Sequence, residues 1–432
     1  MTINIGFISL GCPKNLVDTE TMIGHIVQHH TLTNEMEDAD LMILNTCTFI
    51  DSATEETIEN LYDLKEWKKE NSGRKIIVTG CFVEEKKESI LSEYTFIDGI
   101  LNTGAISKIN ELIDSLKDTP TKIMEKRESN LLEQDCRVLA TPAHYAYLKI
   151  GDGCSHGCSF CKIPSLRGSA YFKSPKDIIA EANILADKGV KELIIIAQDI
   201  TSYNFNENYH LPELLQDLEN INKIEWIRLL YLYPDNINEN LIKTIKHSKK
   251  IVKYIDMPIQ HISDKILSKM NRKSSKKRII DVINLVRKEL PEAKLRTTII
   301  TGFPGEDDND FAELHSFIDQ TKFDHLGVFA YSDQKNTASH KLEGKLDEQT
   351  KEQRAKMIIK TQKTISKNLN KSYIGQELKI LVDNMNGGRR YFDAPEIDGF
   401  VFIDNLQPKD IGQFKTVKIK KALQYDLIGE IT

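Results

Sequence analysis

Three apolar runs early in the chain each lead into a cysteine. Residues 3–10 run into Gly11-Cys12, residues 41–44 into Asn45-Thr46-Cys47, and residues 75–78 into Thr79-Gly80-Cys81. The stretches between them, 15–29 and 53–69, are charged with apolar residues at helical spacing. Strand-like runs alternating with helical ones predict βαβα order and a parallel sheet. Parallel strands bring their carboxyl ends to one edge, where open α/β sheets collect ligands. Cys12, Cys47 and Cys81 can therefore converge. Free cysteine is also among the most buried residue types, so three packing thiols are the alternative; equivalent strand ends favour a metal site.

From about 115 to 143 the chain is charged, poorly periodic and carries Thr119-Pro120 and Thr141-Pro142, the signals of a linker; Cys136 lies inside it as a solvent-facing or packing thiol. Beyond it, apolar runs at 147–150, 193–197, 226–232, 254–257, 295–301 and 323–329 alternate with helical stretches such as 176–188 and Lys276–Glu289. Six β/α units predict a partial or full parallel barrel with its chemistry at the strand carboxyl ends. That edge collects the loop 151–164, Gln198-Asp199 and the segments 256–261 and 302–306. Arg228 and Arg296 sit within apolar strands, where a charge needs either an ion-pair partner or a ligand. His156 and His261 read as ordinary loop histidines. A Lys-rich helical stretch, 348–370, reads as a solvated face. Strand-like 377–383, 399–403 and 415–420, with turns at 386–388 and 398–399, then predict a small OB-like β-barrel.

Composition narrows these options. With 432 residues, 40% hydrophobic and 28% charged, the chain is long enough for two to four domains of an ordinary soluble protein. The first apolar run has no preceding positive region and is too short for a signal peptide or a membrane span, so a cytoplasmic protein is expected. In that reducing compartment seven cysteines point to metal ligands before disulfides. A net charge of −6 argues against an enzyme that simply wraps nucleic acid. Residues 371–432 balance nine Lys and Arg against nine Asp and Glu, which lowers the weight of phosphate binding there.

Cys154, Cys158 and Cys161 lie at C-x3-C-x2-C spacing on a Gly-rich loop. Three thiolates at that spacing can wrap one face of an iron–sulfur cube, whereas a closed structural zinc site wants four protein ligands. One iron is then left open for a ligand.

That loop, with Phe160 before its last cysteine and after the first strand of a β/α barrel, resembles the radical S-adenosylmethionine superfamily. The resemblance implies a 4Fe-4S cluster on Cys154, Cys158 and Cys161 whose open iron is chelated by S-adenosylmethionine, and a 5′-deoxyadenosyl radical on reductive cleavage. Phe160, Gln198, Asp199, Arg228 and Arg296 are the candidate contacts to that cofactor. Adding Cys12, Cys47, Cys81 and the terminal β-domain, the whole chain resembles the methylthiotransferases. Residues 9–20 (SLGCPKNLVDTE), 229–234 (LLYLYP) and 393–399 (DAPEIDG) are similar to the RimO branch, and Pro13-Lys14 stands where the tRNA branch usually has Gln-Met.

The resemblance implies an N-terminal open parallel α/β domain with an auxiliary cluster over 1–115, a linker over 116–143, a radical S-adenosylmethionine partial barrel over 144–370 and a small antiparallel TRAM barrel over 371–432. It implies two 4Fe-4S clusters, the second on Cys12, Cys47 and Cys81, and S-adenosylmethionine used twice, once as methyl donor and once as radical source. The implied reaction adds a methylthio group to the β-carbon of an aspartate in the twelfth small-subunit ribosomal protein, free or on the ribosome. An electron donor such as flavodoxin or ferredoxin and a sulfur source are implied partners. A tRNA-adenosine methylthiotransferase is the runner-up, and a non-catalytic iron–sulfur or RNA-binding protein the reading from another class. Gln334 and Asn336 depart from the acidic residue and glycine usual after Tyr331-Ser332; an Asn in a left-handed turn would preserve the loop. Lys173 stands where an Arg is usual.

Overall fold

Leu41–Thr46 is buried at every position, as a strand covered on both faces must be, and lies inside a six-stranded sheet. The computed structural model describes residues 2–87, 89–116, 120–124 and 137–432, so Cys136 lies outside the described residues. Strands β1 (Asn4–Ser9), β2 (Thr31–Leu32), β3 (Leu41–Thr46), β4 (Lys75–Gly80), β5 (Gly99–Leu101) and β6 (Thr121–Ile123) run in the order β2-β1-β3-β4-β5-β6. Every pair is parallel. The order reverses between β1 and β3, which makes a crevice outside their carboxyl ends. Cys12 follows β1 and Cys47 follows β3, so two cysteines flank that switch point.

Only β1, β3 and β4 are foreshadowed by apolar runs. The other three are two or three residues long, too short to show alternation, and β6 falls inside the stretch that reads as a linker. Crossover helices Pro13–Ile26 and Asp51–Lys69 stand where helical spacing places them. The second buries Thr57, Leu61, Leu64 and Trp67 along one stripe.

The chain forms two compact units. The first comprises Met1–Ala140, Tyr147–Ser155 and Cys161–Glu181, so segments beyond residue 144 fold with the N-terminal sheet. Strand β7 (Tyr145–Lys149) begins in the second unit and ends in the first. The first unit also holds the antiparallel pair β8 (Gly151–Asp152) and β9 (Tyr171–Phe172).

The second unit comprises Thr141–Ala146, His156–Phe160 and Ala182–Thr432. A small hairpin, β11 (Asn204–Asn206) with β12 (Tyr209–His210), follows β10 (Glu192–Ile196). Strand β10 pairs in parallel with β13 (Trp226–Leu229). Strands β14 (Tyr254–Asp256), β15 (Lys294–Thr301) and β16 (His325–Ala330) form a second parallel set, joined to β13 through the single bridge Ile227–Ile251. These two parallel sets, five strands in all, belong to the expected partial barrel.

Five strands close the C-terminal barrel: β17 (Glu377–Asn384), β18 (Gly387–Arg390), β19 (Val401–Ile403), β20 (Phe414–Ala422) and β21 (Leu427–Ile431). Gly387 and Gly388 read as a turn but belong to β18. A Cβ on Gly387 would stand 1.9 Å from the Val401 carbonyl oxygen, so these glycines permit close strand approach rather than chain reversal.

Buried charge joins the two barrels of the second unit. Arg228 is fully buried; its Nε donates to Glu192 Oε1 at 2.7 Å, and Arg389 from β18 reaches Glu192 Oε2 at 2.8 Å. Arg296 lies 2.9 Å from Asp256 and 3.4 Å from Asp398, whose Oδ2 also accepts the Tyr254 hydroxyl at 2.6 Å. Burial alone would raise the Asp398 carboxyl, but His325, Arg296 and the Tyr254 hydroxyl outweigh it and hold Asp398 below its usual value. A group depressed on folding stabilises above its unfolded pKa and loses that contribution as pH falls through its folded one. Thermal melts should therefore show stability falling as pH drops below about 4, with a shallower acid limb in Asp398→Asn.

Candidate active site

At the carboxyl edge of the N-terminal sheet each cysteine has its own local support. Cys12 caps the helix Pro13–Ile26, its carbonyl accepting from Asn15 N at 2.9 Å and Leu16 N at 3.1 Å. The Thr57 hydroxyl donates to the Cys47 carbonyl at 2.7 Å and accepts from Cys47 N at 3.3 Å. Cys81 opens the short helix Cys81–Lys86 after Gly80, whose φ of +92° only glycine adopts readily. A Cβ on Gly11 would lie 2.7 Å from Cys47 Cβ and 2.9 Å from its Sγ, so the β1 and β3 ends are in close contact. Asn15 ties them further, donating to the carbonyls of Leu10 at 3.1 Å and Thr46 at 2.8 Å.

Cys47 and Cys81 are shifted by their surroundings. Burial pushes the Cys47 thiol up to about 11, with Cys81 and Cys12 adding to the rise and the Phe49 amide and Arg167 opposing it. Burial likewise raises Cys81, opposed first by Arg167, which also donates a hydrogen bond to it. Three thiols at neighbouring strand ends with a cation beside them form a donor set that suits an iron–sulfur cluster, since soft thiolates select such clusters and bind them deprotonated.

Arg167 is nearly inaccessible. Its Nη1 donates to Asp18 Oδ2 at 2.7 Å and Asp152 Oδ2 at 3.1 Å, and its Nη2 to Asn15 Oδ1. Lys149 completes the buried group against Asp18 and Asp152. Nearby, Arg137 bridges Glu20 at 2.5 Å and Glu181 at 2.7 Å, and Lys173 serves Glu181 at 2.6 Å. Lys162, next to Cys161, donates to the Thr48 carbonyl at 3.0 Å and Glu85 at 2.9 Å.

The second trio lies on one loop, and its thiols are all half-buried. In the first unit Cys154 N donates to the Gly168 carbonyl at 3.0 Å and Ile163 N to Cys161 Sγ at 3.4 Å. In the second unit Cys158 Sγ accepts from Arg272 Nη1 at 3.9 Å, while Arg272 Nη2 donates to the Pro258 carbonyl at 2.9 Å. The same guanidinium lies 4.5 Å above the Tyr233 ring, and its buried Nε has no partner among the described residues. Tyr233 also stacks on His156 at 3.9 Å. A guanidinium beside a cysteine sulfur, with an orphaned donor in reserve, is compatible with an anionic cluster and its ligand. No three His, Cys, Asp or Glu side chains among the described residues are grouped as ligands of a single metal ion. Cluster ligands each take a different iron, so they need not crowd around one point.

The expected cofactor contacts divide. Gln198 and Asp199 follow β10 at the carboxyl edge. Asp199 is engaged locally, accepting from His156 Nε2 at 2.8 Å, from Thr201 N at 2.9 Å and from Ser202 Oγ at 2.5 Å; it holds the cysteine loop's histidine. His156, read as an ordinary loop residue, is thus part of the site's support. Phe160 packs edge-on against Phe303 at 6.4 Å. Arg228 and Arg296 take the ion-pair arrangement, Arg228 with Glu192 and Arg296 with Asp256 and Asp398, where the barrel meets the C-terminal domain. Asn336 has no positive φ, so the loop after Tyr331 turns without the left-handed residue expected there. Left-handed non-glycine residues occur instead at Tyr231 and Gln260, past the ends of β13 and β14, a kind of strain that clusters at functional sites.

Family comparison agrees with this layout. Residues 148–318 match the radical SAM superfamily, 4–102 an uncharacterised protein family and 374–432 the TRAM domain. The ribosomal protein uS12 methylthiotransferase RimO of Clostridioides difficile is 42% identical, with 99% of each chain covered. The chain belongs to the RimO methylthiotransferase family. The RimO protein of Thermoanaerobacter is 40% identical, again over 99% of both chains. As a RimO-family member the chain is a radical S-adenosylmethionine enzyme, and its cofactors are S-adenosylmethionine and 4Fe-4S clusters. A radical S-adenosylmethionine methyltransferase, TsrM from Kitasatospora setae, solved with cobalamin and a 4Fe-4S cluster, shares the fold at a TM-score of 0.58 and 11% identity, covering 78% of this chain and 74% of that one. No helix among the described residues is long and apolar enough to cross a membrane.

Proposed function

We propose that this enzyme adds a methylthio group to the β-carbon of an aspartate in ribosomal protein uS12, with Cys154, Cys158 and Cys161 holding one 4Fe-4S cluster and Cys12, Cys47 and Cys81 the other. The observation that carries the reading is the presence of two cysteine trios in a chain whose full-length relatives carry that name, one trio on the radical loop and one at the switch edge of the N-terminal sheet. When bound, the clusters and S-adenosylmethionine supply a carbon-centred radical and a methylated sulfur, chemistry that no side chain here could supply.

The chain's own residues prepare that chemistry. Arg272 places positive charge against Cys158, and the Asp199–His156–Tyr233 stack fixes the loop between Cys154 and Cys158. Phe160, Phe303 and Tyr331 form an apolar wall behind the loop that keeps water away. Gln198, half-buried at the end of β10, is left as the contact to the amino acid end or ribose of S-adenosylmethionine. The protein works in the cytoplasm, with a small reduced electron carrier such as flavodoxin or ferredoxin and a separate sulfur source.

Anaerobically reconstituted enzyme, given S-adenosylmethionine, a reductant, sulfide and either uS12 or tRNA, should methylthiolate uS12 alone. Mass spectrometry of both substrates reads the result, and modification confined to tRNA would overturn the assignment.

A further inference from the structure

The segment Arg167–Gly168–Ser169 touches both cysteine trios within the first unit. Its side chain reaches the N-terminal trio: the guanidinium hydrogen-bonds Cys81 while its other nitrogens hold Asp18, Asp152 and Asn15. Its backbone reaches the loop trio, since the Gly168 carbonyl accepts from Cys154 N at 3.0 Å. A Cβ on Gly153 would stand 2.3 Å from the Ser169 carbonyl oxygen, so this segment and the start of the cysteine loop are pressed together.

Charge accounting gives that contact a role. Asp18 and Asp152 are matched by Lys149 and Arg167, so the buried set is neutral before any thiolate forms. A guanidinium keeps its charge even when buried, and Arg167 is ion-paired to both Asp18 and Asp152. Iron binding adds three thiolates to this dry site. Arg167 is in hydrogen-bond contact with the Cys81 thiol of the trio, and its Nη2 donates to Asn15, which ties the ends of β1 and β3 together. Net charge and hydrogen bonds to ligating sulfur are levers on cluster potential, and a cation donating to sulfur favours the reduced form.

We propose that Arg167 is a positioning residue that raises the reduction potential of the cluster on Cys12, Cys47 and Cys81 and holds that cluster in register with Cys154. The proposal rests on the ligand assignment above. It assigns Arg167 no contact with substrate.

The test uses full-length enzyme with Cys154, Cys158 and Cys161 all changed to Ala, so that electron paramagnetic resonance reports the N-terminal cluster alone. Asp18→Asn with Arg167→Gln removes one buried charge of each sign, leaving Lys149 paired with Asp152. At fixed potential the reduced-to-oxidised ratio should fall about tenfold, equivalent to about 59 mV for one electron. Asp18→Asn alone, which keeps the cation, should not lower the ratio, and Arg167→Lys should lower it less than the double variant. An unchanged midpoint at full iron content would overturn the proposal. Iron loss at an unchanged melting temperature supports it; iron loss accompanying a collapsed melt overturns it in favour of a purely structural arginine. Failure of the parent to bind iron would instead overturn the ligand assignment.

Discussion

Cys158→Ala should reduce 5′-deoxyadenosine formation to background, while Cys81→Ala should continue to form it and yield no methylthiolated uS12. Cys158 is the loop thiol facing Arg272, so on the ligand assignment proposed above its loss removes one of three cluster ligands and leaves that guanidinium without its sulfur partner. Three ligands are the minimum this loop offers, and with two the cluster has no secure seat. Cys81 lies in the other trio, buried and hydrogen-bonded by Arg167. Removing it should cost the sulfur-carrying site while the loop remains intact. Chromatographic assay of 5′-deoxyadenosine, with mass spectrometry of uS12 in the same reaction, separates the two outcomes. Full cleavage in Cys158→Ala, or methylthiolation in Cys81→Ala, would refute the division of labour.

Glu192→Ala should be the most destabilising single change in the second unit. The carboxylate is fully buried between Arg228 and Arg389, and its removal takes a counter-charge from both guanidiniums and strands Arg228. Arg389 would keep Asp383, but Arg228 would keep only the face of Tyr254, 5.1 Å away, because its two terminal nitrogens have no other partner among the described residues. Breaking a buried ion pair on one side costs about 3–5 kcal/mol, since the orphaned charge stays desolvated. For domains of 150–250 residues each kcal/mol moves the midpoint by about 2–4 °C, so a melt lower by roughly 10 °C is expected. A melt within a degree of the parent would mean that water reaches Arg228.

Much of this was legible in the residues themselves. Strand β3 announces itself as a continuous apolar run, and the cysteines sit where such runs end. The loop spacing of Cys154, Cys158 and Cys161 needs no fold to be read. Pairings across long sequence separations were not legible. Arg228 looked equally suited to a ligand or an ion pair, and what decides it is Glu192 on the neighbouring strand together with Arg389 from another domain. Arg296 is decided in the same way by Asp398. Arg167 gave little signal in a Gly-Ser-rich loop, and Arg272 was hidden within a run of basic residues from 269 to 278. The small strands β5 and β6 have no periodicity to detect, because sheet neighbours define them.

The order in which the chain is made bears on the first unit. Its sheet strands are complete by residue 123, but Asp18 and Glu20, buried carboxylates on that sheet's first helix, wait for Arg137, Lys149 and Arg167. During translation, at about 5–20 residues per second, an N-terminal segment with uncompensated negative charge inside it leaves the ribosome several seconds before its cations do. Over that interval the sheet has its strands but not its charge balance. Those carboxylates gain their buried counter-charges only once residues 137, 149 and 167 have emerged, so the first unit's charge balance is completed after the loop carrying the other three cysteines has been made.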